Sequence, residues 1–409
     1  MKKLFLLLIT MCCALAVEAQ TLNIYQGSVC VGVSAADAAD MTYDNGTTLT
    51  VAGRTYTIAD IDSIVVNSRP VTAGQVEVSY SNGGARVFMA GDVAPYLTAS
   101  VSGAHVSITA AAGLTQEVNY VLSGTSSDGS FTQTGSYKMR LTLQGVDLTS
   151  SSGAAINVQN GKRIKVVLAD GTTNALTDAA AGSQKACFYV RGHAEIAGGG
   201  TLTLTGRKAH AFASGEYTEL HSSLGHIYVA SAVTDGFHIG QYFRMAGGKL
   251  TIAGVKSDGI DVAATNHSTD ENNGQVMISG GTLTIALDAA HDVKGLKADS
   301  LITISGGNIT ITGTGNGQKG IKTATNLLVN NASGTAPTLT ITLTGTTYNK
   351  GQADESKTRG IKVDRDFTFD GGTINVSTPG PKAKAVVVDG TYYYKSGTIN
   401  CPVSAATVG

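Results

Sequence analysis

The sequence predicts an all-β protein built as a parallel β-solenoid, and three observations support this prediction. A hexapeptide of the form G-G-x-[LI]-T-[IL] recurs along the second half of the chain, each copy paired with a turn of the form x-G-[IL]-[KD]. There are 51 glycines among 409 residues, above the usual ~7%. No segment after the N-terminus has helical periodicity. A short repeat of strands and glycine corners is typical of one solenoid rung, which buries its apolar face only against neighbouring rungs.

Each rung is expected to contribute alternating side chains to the inside and the outside of the stack. In the hexapeptide, Leu and Ile lie two residues apart and face inward, whereas Thr faces outward. The hexapeptide copies span residues 199–204, 247–252, 280–285 and 306–311, and residues 371–376 are a close variant. The turns span residues 235–238, 258–261, 294–297, 319–322 and 359–362. At least six rungs are predicted, and equivalent positions of successive rungs should align in columns.

The N-terminus predicts export. Residues 1–19 have the pattern of a secretory signal peptide, with Lys2 and Lys3 before an apolar run and small residues at the cleavage positions 17 and 19. The apolar run is too short for a permanent membrane anchor. We expect a periplasmic, surface or extracellular protein; a lipoprotein through Cys12 or Cys13 is the less favoured alternative.

The mature chain is expected to contain three regions. Residues 20–70 form a β-rich module, residues 71–118 a β-rich linker or cap, and residues 119–409 the solenoid. Cys30, Cys187 and Cys401 have the spacing of neither a zinc nor a redox motif, so buried free thiols are expected. The net charge of −1 gives no global field that would indicate nucleic acid or a membrane as partner.

The last two thirds of the chain contain an ordered set of motifs that resembles a known family. The set comprises residues 119–124, 127–129, 141–149, 153–158, 166–174 and 176–178, followed by the G-[IL]-K turns. Over roughly residues 119–400, it closely resembles bacterial exported carbohydrate-binding β-helix proteins. The resemblance implies a right-handed parallel β-helix related in shape to family 9 pectate lyases. It also implies calcium held by acidic turn residues and binding of an acidic, pectin- or polyuronate-like polysaccharide without established cleavage; a monomer is expected.

The turns also carry a candidate calcium site. Stacking places Asp235 over Asp258 with Asp261 beside them, and calcium takes six to eight oxygen ligands from carboxylates, carbonyls and water. Asp288 and Asp292 follow one rung later and could complete the site. The alternative is ion pairing of these carboxylates with neighbouring lysines. The full set of calcium sites of the family is not implied here, because later turns carry Lys or Arg before the glycine.

Those later turns predict a cationic ladder, the candidate polysaccharide-binding surface. Its members are Lys294, Lys319 and Arg359 in one column and Lys297, Lys322 and Lys362 in the next. With rungs ~4.8 Å apart, the ladder matches a polyuronate in charge and in linear shape. The alternative is a set of solvated cations neutralised by nearby acids: Asp299, Asp354, Glu355 and Asp364.

Three other functions remain open at this stage. A lyase would combine calcium with Lys294 or Lys297 as the base. A glycoside hydrolase would use two carboxylates about 5–9.5 Å apart, for which Asp258 and Asp261 are candidates. A structural or adhesive rod would need neither a catalytic base with calcium nor a pair of catalytic carboxylates. The histidines show no metal-binding pattern in the sequence, and His238 and His291 are expected to be solvated turn residues that could contact a sugar.

Overall fold

The computed structural model describes residues 20–409, and the predicted signal peptide lies outside these described residues. Between residues 20 and 409, strands are the regular elements apart from two short 3₁₀ helices, Ile58–Asp60 and Ala94–Tyr96. The protein is therefore all-β, as predicted. No helix in the described part of the chain has the length and apolar character needed to cross a membrane.

Most strands pair in parallel with the strand three places further along the chain, which generates three columns. The first column contains β10 (Ala104–Ala110), β12 (Gly129–Gly135), β14 (Ile156–Asn160), β17 (Ala186–Val190), β20 (His210–Ser214), β23 (Phe237–Gly240), β26 (Ile260–Ala263), β29 (Lys294–Ala298), β32 (Lys319–Thr323), β37 (Arg359–Val363), β39 (Lys384–Asn400) and β40 (Val403–Val408). Because most strands pair with the third strand after them, the pairing is consistent with a β-solenoid of three strands per turn.

The other two columns are built in the same way. The second contains β7 (Gln75–Ser81), β11 (Val118–Ser126), β13 (Met139–Thr149), β15 (Arg163–Leu168), β18 (His193–Ala197), β21 (Thr218–Leu220), β24 (Tyr242–Met245), β27 (Gln275–Ile278), β30 (Ile302–Ile304), β33 (Leu327–Asn330) and β38 (Phe367–Ser377). The third contains the end of β13, β16 (Thr173–Thr177), β19 (Thr201–Gly206), β22 (His226–Ala232), β25 (Lys249–Ile252), β28 (Thr282–Ala286), β31 (Asn308–Gly313), β34 (Thr338–Leu343) and the end of β38. A two-stranded hairpin, β35 (Thr347–Tyr348) and β36 (Ser356–Lys357), projects between rungs.

The N-terminal strands form two groups. They are β1 (Thr21–Gln26), β2 (Val29–Ser34), β3 (Thr42–Asp44), β4 (Thr48–Val51), β5 (Arg54–Thr57), β6 (Ser63–Asn67), β8 (Gly84–Ala90) and β9 (Leu97–Ser102). β3, β4 and β5 form a separate three-stranded antiparallel sheet, whereas the others pair into the stack. β1 pairs antiparallel with β2 and β6, and β2 pairs in parallel with β8. Within residues 71–118, β7 and β10 pair in parallel with β11 and β12. β7 therefore begins the second column, and β10 begins the first.

The core follows the alternation in the repeats. Leu283 is 1% exposed and Ile285 is fully buried, whereas Thr284 between them is partly exposed. In the first column, Phe188 packs on Phe212 with ring centroids 5.5 Å apart, and Phe212 packs on the next phenylalanine at 4.8 Å. Inward apolar residues of successive rungs thus form one continuous core, as the repeats predict.

The three cysteines of the described region are free. Cys30 and Cys187 are buried and Cys401 is partly buried. Burial raises the pKa of the Cys187 thiol, so this side chain acts as a small apolar group of the core. The prediction of free thiols is confirmed, with Cys401 less buried than expected.

The glycine of each G-[IL]-K turn is required by the close approach of neighbouring rungs. A Cβ on Gly320 would lie 2.6 Å from the carbonyl oxygen of Gly360 and 2.6 Å from Cγ2 of Ile341. Both neighbours belong to packed elements, because one is backbone of the next rung and the other is a core side chain. A larger residue would therefore push adjacent rungs apart.

We expect Gly320→Ala to lower the free energy of unfolding by about 1–3 kcal/mol, the usual cost of overpacking a close-packed interior. Gly161→Ala is the matched control, because a Cβ on Gly161 would have no atom within 4 Å. Urea denaturation followed by circular dichroism measures both variants. Equal stability of the two would show that the rungs tolerate a side chain at the corner.

Candidate functional site

The turn residues at the start of the first column align in the order that the repeats predict. Lys294 pairs with Lys319, Lys319 with Arg359, and Arg359 with Lys384. Three positions further along the chain, a second line consists of His238, Asp261, Lys297, Lys322 and Lys362. The second line therefore changes from acidic Asp261 in β26 to basic Lys297 in β29, and Asp258, just before β26, contacts the backbone of Lys294 at the start of the first line. Lys384 is an additional cation that the sequence analysis did not include.

The acidic end is buried rather than open to solvent. Asp235, Asp258 and Asp261 are 6%, 7% and 9% exposed. One oxygen of Asp235 accepts the backbone N–H of Asp258 at 2.9 Å, and one oxygen of Asp258 accepts that of Lys294 at 2.8 Å. Asp235 and Asp258 thus each bind the backbone of the following rung, which compensates part of the cost of burying their charges.

Cationic and imidazole side chains occupy the remaining carboxylate oxygens. Lys297 Nζ lies 2.9 Å from Asp261 Oδ1 and 4.0 Å from Asp258 Oδ2. His238 Nδ1 lies 3.3 Å from Asp235 Oδ2 and 3.2 Å from Asp261 Oδ2. The predicted group of three acids is therefore brought together, but as an ion-paired cluster that we name the acidic cluster.

The other two predicted metal ligands lie apart from this contact network. Asp288 is exposed, and its backbone carbonyl accepts the N–H of Thr314 at 2.7 Å. Asp292 Oδ1 lies 2.9 Å from Lys319 Nζ and 3.8 Å from Lys294 Nζ. Asp292 therefore neutralises the basic end of the column.

The protonation states of the cluster follow from these contacts. Burial alone would raise the pKa of Asp235, but its contacts with His210, His238 and Ser257 outweigh burial and hold the pKa well below the ordinary value. The contacts of His238 with Asp235 and then Asp261 raise the pKa of the imidazole to about 9 despite its partial burial. At neutral pH without a metal, His238 is accordingly a cation between two carboxylates.

Asp258 behaves differently from its neighbours. Burial raises the pKa of Asp258 to about 6; the charges of Asp235 and Asp261 add to this, whereas Lys294 opposes it. An ionised Asp258 is thus the least favourable charge of the acidic cluster near neutral pH.

The acidic cluster fits calcium poorly in this arrangement. Calcium needs six to eight oxygen ligands, whereas the three carboxylates already accept backbone N–H groups or contact Lys297 and His238. A calcium ion would have to displace Lys297 from Asp261. The alternative of ion pairing with neighbouring lysines matches these contacts.

The basic end, which we name the cationic ladder, is partly neutralised. Lys322 and Lys362 both contact Asp364, and Lys362 also contacts Asp389. Arg359 instead donates to the backbone carbonyl of Thr358 at 2.7 Å. Of the four acids proposed to relieve the ladder, Asp364 pairs with it directly, whereas Asp354 contacts Asn349 and Glu355 contacts Lys357.

The structure also contains a groove that the repeated motifs do not predict. It is a cavity of about 580 Å³ at the ends of β20, β23 and β26. Its lining includes His193, Glu216, Gln241, Thr265 and Asp270. Next to it, His193, Tyr217 and Tyr242 stack on successive rungs, with centroids 4.3 and 4.7 Å apart. The three residues lie outside the repeated hexapeptide and the G-[IL]-K turns, so those motifs do not indicate this aromatic column.

Comparison with known proteins identifies the domain. The model of a family described as carbohydrate-binding domain-containing protein matches residues 102–406. The chain belongs to this family. The match begins within the stretch predicted as linker or cap, which agrees with the pairing of β10 with β12.

Individual relatives cover smaller parts. A carbohydrate-binding domain-containing protein of Acetivibrio thermocellus is 34% identical over 101 residues, which are 22% of this chain and 35% of that relative. The chain thus matches about a third of the relative's length. Among solved structures, the polysaccharide lyase-like protein from C. thermocellum is 25% identical, with a TM-score of 0.49, and the alignment covers 58% of this chain and 91% of that one.

The raised pKa of Asp258 predicts a pH-dependent stability. The folded-state pKa of about 6 exceeds the ordinary value of 3.8, so the folded state binds this proton more tightly than the unfolded state. Protonation of Asp258 therefore stabilises the folded state. This stabilisation is fully present below pH ~4 and is lost as the pH rises through ~6, and it amounts in total to on the order of 3 kcal/mol.

Asp258→Asn keeps an acceptor oxygen but cannot ionise, so it should remove this pH dependence. Urea unfolding between pH 4 and 7 in the presence of a chelator measures the effect against wild type. Asp299→Asn, at an exposed carboxylate, is the control. A stability difference between Asp258→Asn and wild type that stays constant across this range would contradict the burial argument.

Proposed function

We propose that this protein is an exported, non-catalytic module that binds an acidic polysaccharide of the pectin or polyuronate type along the cationic ladder. The observation that carries the proposal is the alignment of Lys294, Lys319, Arg359 and Lys384 in one parallel register. Strands in a sheet are ~4.8 Å apart, so this line presents regularly spaced positive charges. Family membership supports carbohydrate as the ligand class, and the ladder supports its acidic character.

The C-terminal end of the ladder is the part best suited to an external anion. Within residues 20–409, neither Arg359 nor Lys384 has a carboxylate at salt-bridge distance, and Lys384 is exposed. Lys319, Lys322 and Lys362, by contrast, are neutralised by acids of the protein itself. A polyanion would therefore gain most from contacts with Arg359 and Lys384.

The contacts of Lys297 and the two acids favour binding without cleavage. Burial lowers the pKa of Lys297, but its contact with Asp261 and the charges of Asp261 and Asp258 outweigh burial and raise it. A lysine held protonated in this way is a poor general base. Asp258 and Asp261 are likewise engaged with backbone and side-chain partners, which makes them unsuitable as an exposed hydrolytic pair.

Three finer features belong to the same proposal. Crossovers between parallel strands are right-handed in about 98% of cases, so the fold is proposed to be a right-handed parallel β-helix. Export is proposed from residues 1–19, and a monomer is proposed as the binding unit. Calcium is proposed from the acidic turns; its poor fit to the acidic cluster indicates that calcium would bind weakly there.

The ladder proposal predicts that Arg359→Gln combined with Lys384→Gln weakens polygalacturonate binding about tenfold or more, or about 1.4 kcal/mol. Wild-type affinity should also fall as salt screens exposed charges over about 10 Å at 0.1 M. Isothermal titration calorimetry with polygalacturonate and with a neutral glucan measures both effects. The neutral glucan should bind weakly at every salt concentration.

Lys138→Gln combined with Lys249→Gln is the matched control, because both lysines are exposed outside the ladder. Equal loss in both double variants would indicate a nonspecific charge effect. If Tyr217→Ala abolishes binding and the ladder variant does not, the binding surface lies in the groove instead. Formation of an unsaturated, ultraviolet-absorbing product would establish a lyase and refute the non-catalytic assignment.

Calcium is tested separately by thermal unfolding after chelator treatment. A ligand that binds only the folded state raises the melting temperature by mass action, so millimolar calcium should raise it in wild type and less in Asp258→Asn. An unchanged melting temperature in wild type would remove calcium from the proposal and leave polysaccharide binding to be decided by calorimetry.

A further inference from the structure

Two histidines from neighbouring rungs direct the same ring nitrogen at one carboxylate oxygen. His210 Nδ1 lies 3.1 Å from Asp235 Oδ2, and His238 Nδ1 lies 3.3 Å from that same oxygen. Within the described residues 20–409, His210, Asp235 and His238 form a group of side chains with closely spaced potential metal-ligand atoms. One such atom of each residue lies within 4.8 Å of the other two. The geometry thus gathers two nitrogens and one oxygen around a common point.

The distances match a tetrahedral zinc site. Zinc binds His nitrogen and carboxylate oxygen at about 2.0–2.2 Å, which places neighbouring tetrahedral ligand atoms roughly 3.3–3.5 Å apart. The two observed nitrogen–oxygen separations, 3.1 and 3.3 Å, are close to this value. Calcium instead prefers an all-oxygen shell with longer bonds.

Hydrogen bonds within the protein do not satisfy every polar atom of this group. The buried Nδ1 of His238 makes no hydrogen bond of good geometry, although it lies near an oxygen of Asp235 and another of Asp261. The rings of His210 and His238 also stack, with centroids 4.5 Å apart and planes 17° apart. A metal ion bound by both Nδ1 atoms would hold the two rings side by side in this way.

We propose that His210, His238 and Asp235 form a binding site for a divalent transition metal of the zinc type. The site has three protein ligands and a fourth position for water or another oxygen ligand. Asp235 and His210 have side chains only 8% and 15% exposed, whereas that of His238 is 39% exposed. Metal entry is therefore from the side of His238.

Two further oxygens lie beside the proposed ligand nitrogens. Thr234 Oγ1 lies 2.9 Å from His210 Nδ1, and Asp261 Oδ2 lies 3.2 Å from His238 Nδ1. A metal ion would replace these contacts at the two nitrogens, which leaves both oxygens close enough to accept a hydrogen bond from a metal-bound water. This site does not depend on polysaccharide binding, so its test and that of the cationic ladder are independent.

Thermal unfolding and calorimetry of the chelator-treated, full-length mature protein test the site. Zinc at tens of micromolar should raise the melting temperature and bind with a stoichiometry near one, whereas calcium at the same concentration should not. His210→Gln and His238→Gln should each weaken zinc binding about tenfold or more. Cobalt should give the visible absorption of a tetrahedral complex in wild type and lose it in both variants.

His193→Gln is the matched control, because His193 Nε2 contacts Glu216 at 2.7 Å away from the proposed ligands. Its zinc affinity should equal that of wild type. Circular dichroism of the metal-free variants checks that each remains folded. If one of them does not, Thr234→Val perturbs the surroundings of His210 more mildly. Absence of a zinc-dependent shift in wild type, or zinc affinity unchanged in both His210→Gln and His238→Gln, overturns the proposal.

Discussion

Close stacking of backbone on backbone is the constraint on which the rest of this protein depends. At Gly295, a Cβ would lie 2.6 Å from the carbonyl oxygen of Gly320, and the same approach recurs at Gly320 against Gly360. The rungs are therefore in direct contact at their corners. Because the register between rungs is fixed there, equivalent side chains of successive rungs must lie next to one another, whether or not their charges are compatible.

The protein resolves the resulting charge repulsion differently at the two ends of the column. At the acidic end, backbone N–H groups, His238 and Lys297 surround the buried carboxylates. At the basic end, Asp292 and Asp364 reach the lysines from the adjoining turns. Paired charges of this kind cost less to bury than isolated ones. Within residues 20–409, the ladder cations Arg359 and Lys384 have no carboxylate at salt-bridge distance, and the external anion is proposed to bind there.

The same column thereby combines two kinds of chemistry at separate positions. Imidazole and carboxylate groups converge near His238, where a nitrogen-preferring metal is proposed, whereas exposed cations near Lys384 are proposed to bind a polyuronate. Both positions belong to a domain of the carbohydrate-binding family. Their separation along the stack follows from the order of acidic and basic turns in the chain, since each turn adds one rung.

The sequence by itself determined the rungs, the core and the columns. Alternating Leu, Thr and Ile fix which side chains face inward, and the spacing of the glycine corners fixes which turns align, so the acidic and basic lines could be predicted. The attachment of residues 71–118 to the first two columns could not, because their strands lack the repeated hexapeptide.

Only the tertiary structure decided what each charged side chain contacts. Asp258 is only 7% exposed, because it contacts Asp235 and Lys294 in the turns of the two neighbouring rungs. His210 lies outside the G-[IL]-K motif, and stacking alone brings it to Asp235. Asp292 likewise reaches Lys319 from a turn, and Asp389 reaches Lys362 from the next strand of the column. Strand periodicity fixes the direction of a side chain, whereas its partners depend on the irregular turns between strands, which carry no repeated pattern.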